Sequence, residues 1–236
     1  MIEFSPIKLM ASIFTPEFSF SDKLALLNLF QDLSGKKFDG ELFSMPIPQN
    51  APAEIPRFIL SSLDKTWKLE VSLERINLIY LNPDFSPITD PDALDFANYV
   101  KEFFRSYKKA YKIRIQRLAF IIERVAKIEK KTPAQFIADT FCKEKYLKKP
   151  FNKTNSFEIH SLKKYEFEKF EINSWVRLKS VVLASDPPTP VLQVLSDINT
   201  FAVQEAQDKS FELKDIDRFF KFIPDELENI LTLYFR

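Results

Sequence analysis

With 236 residues, 45% of them hydrophobic and 28% charged, the chain is long and apolar enough to bury its own core, which excludes a disordered tail or a miniprotein held by staples. A formal net charge of +1 excludes a global field for polyanions, so any electrostatic function must come from local asymmetry. A single Cys excludes an intrachain disulfide and suits a reducing compartment, and no apolar run approaches the ~20 residues of a spanning helix. The N-terminal "MIEFSPIKLM" lacks the long apolar stretch of a signal peptide. The expectation is a cytoplasmic protein with no membrane partner.

"SPIKLMASIF" opens the chain as a strand. "SFSDKLALLNLFQDL" follows with helical spacing, Ser21 as N-cap and Gly35 to end it. Prolines at 46, 48, 52 and 56 make the next stretch an extended loop. A meander then reads clearly. In "TWKLEVSLE", Trp67, Leu69, Val71 and Leu73 alternate with Lys68, Glu70, Ser72 and Glu74, and "RFILSS" and "INLIYL" are its antiparallel neighbours. "NPDFSPITDPD" breaks the sheet and caps a helix of about twenty residues. The strand "KIRIQRLAFIIERV" comes next. Thr132-Pro133-Ala134-Gln135 is a capping box opening the helix "PAQFIADTF".

The irregular "CKEKYLKKPFNKTNS" is the candidate boundary. The expected organisation is an N-terminal α+β unit at 1–142, a basic connector at 143–155, and a C-terminal unit at 156–236 of strands followed by a helical pair. The strands there are "SFEIHSL", "YEFEKFEI", "WVRLKSVVLA" and "PVLQVLSDI", with "SDPPTP" as a loop. The closing helices are "FELKDIDRFFKF" and "PDELENILTLYF", the second starting at Pro224. Strands in clusters with helices between and after them predict an α+β fold, antiparallel meanders packed on amphipathic helices in two loosely similar halves.

The charges are segregated along the chain. Residues 101–118 carry a net of +6, residues 143–153 a net of +4, and Glu205–Glu228 a net of −4. On the helix, Lys101, Arg105 and Lys108 form one stripe, while Val100, Phe104, Tyr107 and Tyr111, widened by Phe96 and Phe103, form another that faces a sheet. The basic stripe is expected to be the solvated face. A binding role falls on Lys143, Lys145, Lys148 and Lys149, where the chain is irregular and the side chains have no core to serve. The opposite charges either cancel inside the fold or form a surface that docks on a partner.

Several chemistries have no residues to carry them. Two glycines, Gly35 and Gly40, cannot spell a phosphate-cradling loop, and one histidine, His160, cannot build a multi-histidine metal site. His160 reads as a surface strand residue and Cys142 as a small buried hydrophobe. No cofactor or resident metal is expected. Carboxylate-only sites remain open: Glu129/Lys131 and Glu212/Lys214 match Glu-x-Lys, the latter with Asp197 upstream, as in Mg²⁺-dependent nucleases.

Four stretches, "IPRFILSS", "RIQRLAFIIERV", "LQVLSDINTF" and "DIDRFFKFIPDELENILTLYF", with the order of the elements around them, resemble a sporadically distributed bacterial family of uncharacterised α+β proteins, often found near mobile or defence genes. The resemblance implies an accessory component of a defence or toxin-control system and transfers no catalytic residue. The leading expectation is therefore a non-catalytic protein-interaction component, as a homodimer or in a hetero-complex. The alternatives are nucleic-acid binding through 101–118 and 143–153, and a Mg²⁺-dependent nuclease.

Overall fold

The computed structural model of the chain describes residues 2–16, 23–44, 48, 51–183, 187–200 and 210–235. The expected cap Ser21 and the first two residues of the "SDPPTP" loop, Ser185 and Asp186, lie outside them. The fold is α+β. Among the described residues, nine strands form one antiparallel sheet: β1 (Ser5–Phe14), β2 (Leu42–Ser44), β3 (Phe58–Ser61), β4 (Trp67–Val71), β5 (Arg75–Leu81), β6 (Arg117–Ala126), β7 (Glu158–Phe167), β8 (Phe170–Leu183) and β9 (Thr189–Thr200). Their spatial order is β2-β3-β4-β5-β1-β6-β9-β8-β7. The predicted meander β3 to β5, extended at its edge by the unpredicted β2, and the meander β7 to β9 form the wings, and β1 and β6 lie between them.

The helices are α1 (Lys23–Leu33), α2 (Ala93–Tyr111), α3 (Pro133–Phe141), the short α4 (Glu144–Leu147) and α5 (Leu213–Phe235). β5, α2 and β6 make a split βαβ unit. β5 and β6 both run antiparallel to β1, which lies between them. The units expected at 1–142 and 156–236 share this sheet, because β6 pairs with β9 from Ala119↔Asn199 to Ala126↔Leu192.

Local signals act as the sequence predicts. Asp92 caps α2 by accepting from the Asp95 amide at 2.8 Å, and Thr132 caps α3 by accepting from the Gln135 amide at 3.2 Å. The expected capping box is only half formed: the Gln135 side chain donates to Asp139 at 2.7 Å, and its Oε1 accepts no hydrogen bond among the described residues. Gly35, at φ +62°, ends α1 in a Schellman motif: Lys36 N–H donates to Gln31 O and Gly35 N–H to Asp32 O. Gly40 serves close approach, since a Cβ there would stand 2.7 Å from the Ser62 backbone.

Two expectations are corrected. "SFEIHSL" and "YEFEKFEI" are not separate strands: Glu158–Phe167 is one strand, and the chain reverses at Glu168 and Lys169. Both have positive φ, 49° and 72°, as a tight two-residue hairpin turn requires. Neither is Gly or Asn, so each pays ~1–2 kcal/mol for the left-handed backbone and the turn leaves no sequence signature. The closing helical pair is one helix, α5, running through Pro224. Pro224 offers no N–H to the Phe220 carbonyl, but Ile216, Phe219, Phe220, Ile223, Leu227 and Ile230 form a buried stripe on both sides of it. That burial outweighs the lost bond.

One apolar cluster unites the helices with one face of the sheet. Alternation sets the face: Leu9, Ala11 and Ile13 of β1 lie opposite Tyr80, Leu78 and Ile76 of β5, and opposite Ile122, Phe120 and Leu118 of β6. The abundance of phenylalanine has a structural use. Neighbouring rings of Phe30 (α1), Phe103 and Phe104 (α2), Phe220 and Phe219 (α5) and Phe170 (β8) stand 5.1–5.8 Å apart, centroid to centroid. This relay runs above the sheet from one wing to the other. Of the predicted apolar stripe on α2 only Tyr111 is not buried, being 43% exposed at the helix end. Phe104 has no exposed surface. Phe104→Ala should therefore cost ~3–5 kcal/mol, read as a lowered midpoint in chemical unfolding; an unchanged midpoint would contradict this packing.

Candidate interaction surfaces

Arg105 and Lys108 do not form the solvated stripe expected of them. Arg105 Nη1 donates to Asp217 Oδ1 at 2.8 Å, and Lys108 Nζ donates to Ile113 O at 3.0 Å and stands 3.9 Å from Glu212. α5 and the residues entering it lie alongside α2, so the basic helix face meets the acidic segment of the chain. Lys101 is half-buried, donating to Asn98 Oδ1 at 3.1 Å. Farther along α5, Arg124 of β6 pairs with Glu228. Arg105 and Lys108 of the basic stretch thus meet Asp217 and Glu212 of the acidic one inside the fold. Periodicity on one helix cannot show this, because the partner is over a hundred residues away in sequence.

Lys143, Lys145, Lys148 and Lys149 are all exposed. Lys143 stands at the start of α4, Lys145 lies over the Tyr146 ring at 4.8 Å from its centroid, and Lys148 reaches Glu144 at 2.7 Å. Such exposed pairs contribute little to stability. The segment is a basic surface interleaved with Tyr146, Leu147 and Phe151.

Asp197, Glu212 and Lys214 do not converge. Asp197 faces away from the helices, whereas Glu212 reaches Lys108 on the helix side. Glu129 is exposed, and Lys131 is engaged at 2.6 Å by Asp139. No group of three His, Cys, Asp or Glu suited to a metal ion is present among the described residues. His160 is exposed beside Glu158 at 3.3 Å, and Cys142 is half-buried at the end of α3.

The constellation that sequence reasoning missed lies on the other face of the sheet. The helices of the apolar cluster share one face, and the opposite face carries rows set by strand register. The middle row contains Ile79 (β5), Met10 (β1), Ile121 (β6), Asp197 (β9), Trp175 (β8) and Leu162 (β7). A polar row beside it runs through Asn77, Ser12, Ala119, Asn199, Asn173 and Lys164. Ser12 Oγ donates to Asn77 Oδ1 at 2.7 Å, and Asn77 Nδ2 donates to Glu70 at 3.2 Å. Burial pushes the Glu70 carboxyl up, but donors from Lys68 and Asn77 outweigh it and hold it below the usual range.

Asn199 is the hub. Its Oδ1 accepts from Arg117 at 2.5 Å and from Asn173 at 3.2 Å, and its Nδ2 donates to Asp197 at 2.9 Å. Two guanidiniums cover rings on this face: Arg117 over Phe14 at 4.9 Å and Arg177 over Trp175 at 5.3 Å. The only advance signal was the alternation of Asn173, Trp175 and Arg177 with the buried residues of β8. Which strands stand beside β8 decides the rest.

Burial raises the Asp197 carboxyl above its ordinary value, against the pull of the Asn199 donor and of Arg117 and Arg177. The folded protein therefore holds the proton more tightly than the unfolded chain, and the ionised form costs stability above that raised value. Asp197→Asn should stabilise the protein at neutral pH, and the gain should shrink as pH falls through the raised value. Paired thermal unfolding curves across the acid range check this; a variant less stable at neutral pH would show that Asp197 is wanted ionised. Compared with protein-family models and with curated proteins, the chain matches no family model and no curated protein.

Proposed function

We propose that this protein is a non-catalytic protein-binding component, an accessory subunit of a larger assembly, and that the sheet face opposite the helices carries the contact. One observation carries the reading: the middle row of this face sets Met10 and Ile121 on one side of Asp197 and Trp175 and Leu162 on the other, framed by polar and charged rows. An antiparallel sheet with a wetted face normally shows polar residues there. An apolar centre with Trp, Met and Arg inside a polar frame is the composition of a protein interface. Membership of a bacterial defence or toxin-control complex belongs to the same proposal and rests on the resemblance of the four stretches alone.

Nucleic acid fits this face less well. Its two prominent rings are already covered by guanidiniums, and Glu70, Glu123, Asp197 and Glu158 share the face and would repel phosphates. A second reading, phosphate contact through the basic segment, is favoured by the exposure of Lys143, Lys145, Lys148 and Lys149.

The test is affinity capture of the tagged protein, with its companions identified as protein or nucleic acid. The Trp175→Ala/Leu162→Asp variant should lose a stoichiometric protein companion by about tenfold or more while keeping its unfolding temperature. A companion that is nucleic acid, lost when the four lysines become Glu and kept when Trp175 and Leu162 are changed, would replace this reading with the second.

A further inference from the structure

Between the first turn of α2, the middle of α5 and the ends of β1 and β6 lies a cleft of ≈ 390 Å³. Its apolar lining comes from Phe4, Pro6, Ile88, Ile122 and Pro224, and Leu94 at its rim is 48% exposed. The charged lining is Asp92, Asp225 and Glu228 against one cation, Arg124. Arg124 is only 3% exposed; its Nη2 pairs with Glu228, while Nη1 is buried and has no hydrogen-bond partner among the described residues. Asp92 is engaged as the α2 cap through one oxygen, and Asp225 stands exposed on α5.

These features select a ligand chemistry by elimination. A carboxylate or phosphate would meet three carboxylates around one arginine that is already paired. A bare metal ion would meet the Arg124 charge. A purely apolar molecule would leave both the acidic rim and the Nη1 donor unanswered. The cleft asks for an apolar stem, a cationic head and a hydrogen-bond acceptor. A lysine or arginine within a peptide supplies all three: an aliphatic stem, a charged end and a backbone carbonyl.

We propose that this cleft docks a lysine or arginine side chain presented by a segment of a partner protein. The stem lies against Ile88, Ile122 and Leu94, the cation faces Asp225 and Asp92, and the segment's carbonyl accepts from Arg124. The proposal rests on the protein-binding reading and adds a second contact, on the helix side of the sheet.

The test titrates the full-length protein with acetyl-Leu-Lys-amide and, separately, acetyl-Leu-Glu-amide, followed by backbone amide resonances. The Lys probe should shift the amides of Ala93, Leu94, Asp225 and Glu228, and the Glu probe should leave them in place. Asp225→Lys, an exposed change that spares the core, should weaken the Lys probe by about tenfold or more. Arg124→Met, scored only if its unfolding temperature shows it folded, should weaken it as well. No shift with the Lys probe, or equal shifts with both probes, overturns the proposal. Sedimentation equilibrium of the wild type and Asp225→Lys decides the source. A dimer abolished by Asp225→Lys would mean that the occupant is the basic 143–153 segment of a second copy, and the separate partner would be overturned. If the Lys probe fails while capture through the Trp175 face persists, only the cleft is lost. If that capture also fails, the protein-binding reading goes with it.

Discussion

The architecture depends on the pairing of β6 with β9. Each wing of the sheet is a meander of strands consecutive in sequence. Neither wing brings its own complete set of helices. Only when Ala119–Ala126 lies along Asn199–Leu192 do α2, which precedes β6, and α5, which follows β9, come to stand side by side on one face. The Phe relay, from Phe30 through Phe104 and Phe220 to Phe170, then closes a single core across both wings. The hydrophobic term does the stabilising, and register decides where it can act.

The same docking resolves the charge asymmetry. Arg105 meets Asp217, Lys108 nears Glu212, and Arg124 meets Glu228. Either helix alone would lie on a sheet with its charged face in water. Laid together they bury aromatic rings beneath and pair charges above. The consequence for function is specific: Arg105 and Lys108 are engaged by the fold, while Lys109 and Lys112 stay exposed, so the basic excess of 101–118 is partly neutralised and is not by itself a sign of a polyanion partner. What remains for recognition is the exposed segment at 143–153, the acidic-rimmed cleft, and the sheet face opposite the helices.

Much of this fold is legible in the sequence wherever the deciding interaction is local. The Asp92 and Thr132 caps, the Gly35 helix end, the meander around Trp67 and the apolar face of α2 all depend on residues a few positions apart. The errors share a cause. The turn at Glu168–Lys169 is imposed by the pairing of β7 with β8 on residues that do not favour it, and Pro224 sits inside a helix because burial on both sides overrides it. The candidate site was less legible than the fold. Asn199, Asn173 and Arg117 come from three strands and meet only through the β6-β9-β8 order. Alternation within β8 separates Trp175 from Val176 but cannot say which side the helices will cover.

The claim that one core spans the whole chain is tested by its two tryptophans, which report from different wings. Trp67 lies on β4 against Tyr80, Phe96 and Tyr99, and Trp175 lies on β8 beside Arg177. Trp175→Phe leaves Trp67 as the probe, and Trp67→Phe leaves Trp175. In each variant, denaturant unfolding is followed by the fluorescence of the remaining tryptophan and by far-ultraviolet circular dichroism. With one core, fluorescence and dichroism should give the same midpoint and slope within each variant. Fluorescence that departs from dichroism in both variants, early in one and late in the other, would mean that the two wings unfold separately and would contradict the account.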